Sequence, residues 1–424
     1  MPFSLLGLRP ELLQALKPKD YPAPTPIQTL AIPAVLQGVD VQASAQTGSG
    51  KTAAYALPLL ELLLRQPRST PRPVHSLVLV PTRELAVQVG ETLRGLAASL
   101  PFNLKITVVF GGVSINPQMM GLRGGADVVV ATPGRLLDLL HQNAVTLSKV
   151  QILVLDEADK LLDLGFQDEL QAILKCLPPQ RQNLLFSATF APAVQSLADA
   201  LLTHPQRIDV LPQAGTAPDI VQRAFAVDAT QRTQLLRHLF QSQGWKRVLV
   251  FAATQHACQI IAAKLRKAGI NAEPFHGQLS QGKRSQVLAD FKASRVKVVI
   301  ATDVASRGLD ISELPVVVNF DLPRSAVDYT HRIGRTGRAG HSGLAISFVS
   351  PDIEAHWRLI EKRQQISVPR EVLDGFEPLT TDAASSTHTP RPQGTANDPT
   401  GGIKGKRPNK KDKLRLAQQQ PETP

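Results

Sequence analysis

Ile152-Leu153-Val154-Leu155-Asp156-Glu157-Ala158-Asp159 is the stretch on which the fold turns. Four consecutive apolar residues suit a strand buried on both faces, as in the middle of a parallel sheet covered by helices. The run passes directly into three carboxylates within four residues. Similar runs rich in Val, Ile and Leu lie at 76–80, 106–110, 127–131 and 184–187. Helical stretches fall between them at 83–100, 134–141 and 168–177, the last stopped by Pro178 and Pro179. The alternation pauses at 211–219 (LPQAGTAPD), a linker by its Pro, Gly and small residues. It restarts with strands at 247–252, 297–301, 316–320 and 344–348 and helices at 254–268 and 281–292. The expected fold class is therefore α/β, with two tandem domains of similar size, 1–210 and 220–375, each a mostly parallel sheet flanked by helices.

Composition narrows the partners. The chain has 424 residues, enough for two or three cores, and 47 Lys+Arg against 35 Asp+Glu give +12. That excess favours an anionic partner, nucleic acid or a membrane surface. Cys176 and Cys258 are too few for a disulfide framework or a multi-cysteine zinc site, which points to a reducing compartment; both sit in helical patterns and read as core. The histidines show no metal-ligand spacing. No apolar run reaches the ~18–20 residues of a membrane span, since 53–64 is interrupted by Pro58 and Glu61. The N-terminus lacks the basic and apolar segments of a secretory signal. A soluble, cytoplasmic protein with no membrane partner is expected.

Beyond about Thr380 the sequence turns to Thr, Ser, Pro, Gly and Asn without periodicity, so a disordered tail is expected over 376–424. Within it, residues 404–415 hold Lys404, Lys406, Arg407, Lys410, Lys411, Lys413 and Arg415 against Asp412 alone, a net +6 that is half of the chain's net charge. Such a segment either keeps the chain soluble or tethers it to a polyanion.

A second stretch gives the acidic strand its meaning. Ala45-Gln46-Thr47-Gly48-Ser49-Gly50-Lys51-Thr52 opens a helix after a short strand. The usual phosphate-binding loop begins with Gly where Ala45 stands, yet the chemistry survives. Gly48 and Gly50 let backbone N–H groups turn onto a polyphosphate at a helix N-terminus, where the partial positive charge favours anions. Lys51 can reach the β- and γ-phosphates and the Thr52 hydroxyl can ligate Mg²⁺. Asp156, at a strand's carboxyl end, suits the same ion, and Glu157 can orient or deprotonate a water. Loop and acidic strand together predict ATP or GTP hydrolysis.

Asp156-Glu157-Ala158-Asp159 also spells the signature of the DEAD-box helicases of superfamily 2, and further elements resemble that family in order and spacing. Pro24-Thr25-Pro26-Ile27-Gln28 is similar to its adenine-recognising Q motif, with Tyr21 before it and Phe3 upstream, while Asp20 stands where the family often has glycine. Pro81-Thr82-Arg83-Glu84-Leu85, Gly111-Gly112 and Thr132-Pro133-Gly134-Arg135 resemble its RNA-contacting elements, and Ser187-Ala188-Thr189 its coupling motif. Val250-Phe251 with Thr254, His276-Gly277 with Gln281 and Arg284, 301–310 (ATDVASRGLD) and 331–338 (HRIGRTGR) complete the set. The resemblance spans about residues 3–350, and the short basic tail is similar to bacterial RhlE-type members.

The resemblance implies two RecA-like domains that close around ATP and single-stranded RNA. Gln28 would read adenine, because its amide offers one donor and one acceptor. Phe3 or Tyr21 would pack on the base, and the residues leave that choice open. Arg335 and Arg338 would serve as arginine fingers toward the γ-phosphate, and Asp310 would meet the ribose or anchor an arginine. Thr82, Arg83, Gly112, Thr132 and Arg135, with Gly277, Arg284 and Thr302, would hold the RNA backbone without reading sequence. Ser187 and Thr189 would bond Asp159 and transmit closure. The implied activity is RNA-stimulated ATP hydrolysis coupled to local unwinding of short duplexes by a monomeric core. Two rivals stand beside it: an ATP-gated RNA clamp that scaffolds an assembly, and a DNA helicase of the same superfamily.

Overall fold

The computed structural model describes residues 2–16, 21–45, 49–67, 69–210, 220–306, 314–337 and 342–378. Gln46, Thr47 and Gly48 of the loop, Asp20, Asp310, Arg338, the 211–219 linker and the chain beyond 378 lie outside them. Among the described residues, fourteen strands build two sheets within one compact unit, Met1–Leu379. The first sheet uses β1 (Val41–Ser44), β2 (Ser76–Leu79), β3 (Ile106–Val109), β4 (Val128–Ala131), β5 (Ile152–Asp156), β6 (Gln182–Ser187) and β7 (Gln206–Asp209). Its order is β3-β4-β2-β5-β6-β1-β7, with every pairing parallel. The second uses β8 (Ile220–Ala226), β9 (Val248–Phe251), β10 (Ala272–Phe275), β11 (Val298–Ala301), β12 (Val316–Asn319), β13 (Gly343–Val349) and β14 (Arg370–Glu371). Its order, β10-β11-β9-β12-β13-β8-β14, is parallel throughout and repeats the first.

The central strands are buried along their whole length, including β2, β4 and β5 in the first lobe and β9, β11 and β12 in the second. The first sheet separates two apolar clusters. Val78, Val130 and Val154 face one, with Leu57 and Val89; Leu77, Val129 and Leu155 face the other, with Leu136 and Ile173. Each such side chain contributes about 1.5–3 kcal/mol, so the alternation along buried strands dictates a helix layer on both faces. These are RecA-like domains in tandem, with the expected fold class.

Strands that sequence periodicity passes over lie mainly where burial is partial. In β7 only Ile208 is buried, and β14 has two residues. β10 carries Pro274, tolerated because that strand pairs only with β11 at the sheet edge. Cys176 departs from the core reading: it is exposed, following the last turn of the helix Gln167–Lys175, whereas Cys258 is buried. Helical periodicity near an end does not settle which way the terminal residue faces.

Candidate nucleotide and RNA site

The order of the first sheet puts β5, β6 and β1 side by side, so the loops after them converge at one edge. This is where parallel α/β sheets collect ligands. β1 leads through Ala45 toward Ser49 and Gly50, and the helix Lys51–Leu63 begins at once. Gly50 adopts φ +89°, a left-handed conformation that glycine takes without steric cost. A Cβ there would stand 2.4 Å from Gln28 Nε2.

Gln28 is fully buried in the first turn of the helix Pro26–Leu36 and completes a capping box: its Oε1 accepts from the Thr25 N–H at 3.0 Å. Its Nε2 donates to the Gly50 carbonyl at 3.1 Å. The residue expected to read adenine thus also ties the Q-motif helix to the phosphate-loop helix. Phe3 belongs to the apolar core, and Tyr21 meets it edge-on with centroids 6.4 Å apart while remaining partly exposed.

Lys51 is buried, and its Nζ donates to the Ala45 carbonyl at 2.8 Å, across the loop mouth. Asp156 Oδ2 accepts from the Tyr55 hydroxyl at 2.8 Å. Burial raises the Asp156 carboxyl above its ordinary range, opposed by Lys51. Asp156 Oδ1 is buried with no hydrogen-bond partner among the described residues. An orphaned carboxylate oxygen, with the Thr52 hydroxyl near the same Tyr55 and the Lys51 charge beside it to meet phosphate, suits a divalent cation on a polyphosphate, so these residues fit Mg²⁺. Among the described residues no group of three or more His, Cys, Asp or Glu could hold a metal ion alone. Phosphate oxygens would have to supply the remaining ligands.

Glu157 follows with φ +53°, a left-handed non-glycine backbone of the kind that clusters at active sites. Burial opposes ionisation of its carboxyl, but Lys160 Nζ at 2.8 Å, with Lys51 and Arg335 nearby, holds it below the usual glutamate range. Arg335 comes from the second lobe, so cations of both lobes bear on one carboxylate of the first. His331 is likewise close enough to Lys160 and Asp159 to feel their charges. The helix Ala326–Ile333 that leads to Arg335 is fixed by Arg332, a residue the sequence reading passed over inside HRIGRTGR. Its guanidinium bonds Asp303 at 2.6 and 2.7 Å, the Asn319 side chain at 3.1 Å and the Asp321 carbonyl at 2.6 Å.

Ser187 and Thr189 both reach Asp159. The Asp159 N–H donates to Ser187 Oγ at 3.3 Å, and Thr189 Oγ1 donates to Asp159 Oδ2 at 3.3 Å.

The RNA candidates of the first lobe follow β2, β3 and β4 and touch one another. Thr82 caps the helix Arg83–Ala97 by accepting from the Leu85 N–H. The Gly111 N–H donates to Thr132 Oγ1 at 3.3 Å, and Arg135 Nη2 donates to the Val113 carbonyl at 2.8 Å. Gly112 has φ +76°, and a Cβ there would fall 2.0 Å from Arg83 Nη2. In the second lobe Gly277 follows β10, Thr302 follows β11, and Arg284 lies in the helix Gln281–Lys292, buried and paired with Glu84 of the first lobe at 2.8 Å. Glu84 is inside the quoted PTREL segment, yet charge alone gave no signal of a partner about two hundred residues away.

Residues 25–197 match the family described as DEAD/DEAH box helicase, and residues 231–340 match the Helicase conserved C-terminal domain. The chain is 39% identical over 392 residues to the DEAD-box ATP-dependent RNA helicase CshA of Bacillus thuringiensis, covering 91% of this chain and 73% of that protein. It is 44% identical over 363 residues to the ATP-dependent rRNA helicase RRP3 of Pyricularia oryzae, covering 85% and 66%. Neither name places it in the RhlE-type subgroup. Among solved structures it is similar to S. cerevisiae Dbp5 bound to RNA and ADP BeF3, at 31% identity and TM-score 0.77, covering 88% of this chain and 96% of that one. A Dbp5 variant bound to Gle1 and IP6 superposes with a TM-score of 0.70 at 32% identity, covering 88% and 95%.

Proposed function

The chain belongs to the DEAD/DEAH box helicase family and is an ATP-dependent RNA helicase; from that premise we propose how its residues divide the work. The observation that carries the proposal is that Lys51 of one lobe and Arg335 of the other both act on the Glu157 carboxylate. A triphosphate between them is gripped from two sides. Ser49, Gly50 and Lys51, with Ala45, Gln46, Thr47 and Gly48 of the same loop, hold its phosphates. Gln28 selects adenine, and Tyr21 packs on the base because Phe3 is committed to the core.

Asp156 and Thr52 would hold Mg²⁺, which would neutralise charge on the phosphate oxygens. Glu157, kept ionised by Lys160, accepts a proton from the attacking water, and Arg335 with Arg338 meets the charge that develops on the transferred phosphoryl group. Asp310 serves the same pocket. On the RNA side Thr82, Arg83, Gly112, Thr132 and Arg135 of the first lobe and Gly277 and Thr302 of the second hold the sugar–phosphate chain of single-stranded RNA.

Since each ligand is contacted by both lobes, ATP and RNA favour the same closed arrangement and bind cooperatively. The greater likeness to Dbp5 bound to RNA and ADP BeF3 supports reading the described arrangement as that closed form. Asp159, Ser187 and Thr189 link the DEAD strand to the next loop and would transmit closure. A strand bent by closure no longer fits a regular duplex, which gives local unwinding by a monomeric core. A cytoplasmic location is the reading we adopt, supported by the likeness to the bacterial helicase CshA. No helix among the described residues is long and apolar enough to cross a membrane.

The test is ATP hydrolysis with single-stranded RNA or DNA of equal length at equal salt, together with release of a short RNA strand. RNA should stimulate and DNA should not, with multiple turnovers of unwinding. Equal stimulation by DNA would favour the DNA helicase; long-lived RNA complexes without unwinding would favour the clamp.

A further inference from the structure

The Glu84–Arg284 pair joins two helices that belong to different lobes and are both expected to lie along the RNA. Arg284 Nη2 stands 2.8 Å from Glu84 Oε1, and the two side chains are 6% and 8% exposed. Arg284 is positioned from its own lobe: its guanidinium lies over the Phe275 ring, 4.6 Å from the centroid, and contacts the His276 and Ala305 carbonyls at 3.5 Å. Those contacts are at the outer limit of a hydrogen bond, so the Glu84 carboxylate is its one close counter-ion among the described residues. Arg83, beside Glu84 in sequence, lies close enough to Arg284 for the two cations to repel. In this arrangement two arginines of different lobes stand near each other, and Glu84 is the counter-ion of Arg284.

We infer that Glu84 and Arg284 form an interlobe latch that sets the register of closure on RNA, with Arg284 acting as a positioning residue and Arg83 left to meet phosphate. When the lobes part, both charges are hydrated, so the intact pair adds little net drive toward closure. Closing with one partner missing strands a buried charge, which is strongly unfavourable. The latch makes closure selective and leaves its driving force to ATP and RNA.

The inference rests on the reading of the chain as an RNA-stimulated ATPase, and the experiment separates the two. ATP hydrolysis is titrated with single-stranded RNA for the wild type, Glu84→Gln, Arg284→Glu and the swapped pair Glu84→Arg with Arg284→Glu. Thermal unfolding of each is recorded. Glu84→Gln, nearly isosteric, should keep the RNA-free rate while its half-saturating RNA concentration rises about 10- to 100-fold. Arg284→Glu should be impaired at least as much, and the swap should recover most of the loss. An unchanged half-saturation in Glu84→Gln overturns the latch. So does a swap that unfolds at the wild-type temperature yet performs no better than Arg284→Glu, the outcome expected if Arg284 instead grips phosphate. A wild type that RNA does not stimulate would refute the functional reading itself.

Discussion

Gln28 donates to the carbonyl of Gly50, the residue before Lys51, and Gly50 can accept that approach only because it has no side chain. Gly50→Ala adds a Cβ 2.4 Å from Gln28 Nε2 at a φ of +89°. Strain and clash are expected to cost about 1–3 kcal/mol and to abolish ATP binding. Gln28→Ala removes the capping contact to Thr25, about 0.5–2 kcal/mol, and the bond to the Gly50 carbonyl, about 1 kcal/mol, and should narrow the preference for ATP over GTP. Urea unfolding and titration with fluorescent ATP and GTP analogues check both. Wild-type ATP affinity in Gly50→Ala would contradict the geometry.

Arg332 carries a second expectation. With 3% exposure and bonds to Asp303, Asn319 and Asp321, it is the hub under the helix leading to Arg335. Arg332→Ala leaves Asp303 without its partner and opens space against the Phe251 ring, where the guanidinium now stands 4.8 Å from the centroid. A loss of about 3 kcal/mol in unfolding free energy is expected. Arg335→Ala should cost less stability than Arg332→Ala while lowering turnover by about a thousandfold. Equal effects of the two substitutions on stability would remove the hub role.

The two thiols should behave oppositely. Burial pushes the Cys258 thiol up to about 12, with the Asp321 charge adding to the shift, whereas Cys176 is exposed. A thiol reagent at pH 8 should label one site rapidly and the second only on unfolding. The stability consequence has a definite sign. Above pH 9 the unfolded thiol ionises while the folded one stays protonated, so this contribution is full below pH 9 and is lost as pH rises toward 12. Cys258→Ser should flatten that part of the pH–stability curve, read by urea unfolding between pH 8 and 10. Two equally fast thiols in the native protein would contradict the placement.

Removing the residues after Thr380 deletes the Lys404–Arg415 cluster. If that cluster tethers RNA, affinity falls and the slope of log K against log salt becomes shallower by several units, roughly 0.7 per lost phosphate contact with a single strand. The RNA-free ATPase rate should stay the same. An unaltered slope would assign the tail to solubility alone.

How far the sequence could be read follows the physics of each signal. β2, β4, β5, β9, β11 and β12 were legible because burial on both faces demands an unbroken apolar run. β7 was not, since an edge strand with one buried residue leaves no period. Lys51, Asp156 and Glu157 could be singled out as candidates because phosphate chemistry restricts residue type and spacing within a few positions. The Gln28–Gly50 bond, the Lys160–Glu157 pair and the Arg332 network depend on how separate elements meet. Local pattern carries little of that. Glu84 is the clearest case: its partner lies in the other lobe, and nothing in Pro81-Thr82-Arg83-Glu84-Leu85 distinguishes a latch from a solvated helix turn.

The central claim is that one closed arrangement is favoured jointly by ATP and RNA. Its most direct measurement is energy transfer between a donor on Cys176, exposed on the first lobe, and an acceptor on Leu359→Cys, an exposed position on the second. Transfer should shift to a single narrow population when a non-hydrolysable ATP analogue and single-stranded RNA are present together, and barely move with either alone. The same transfer efficiency with both ligands as with neither would contradict it.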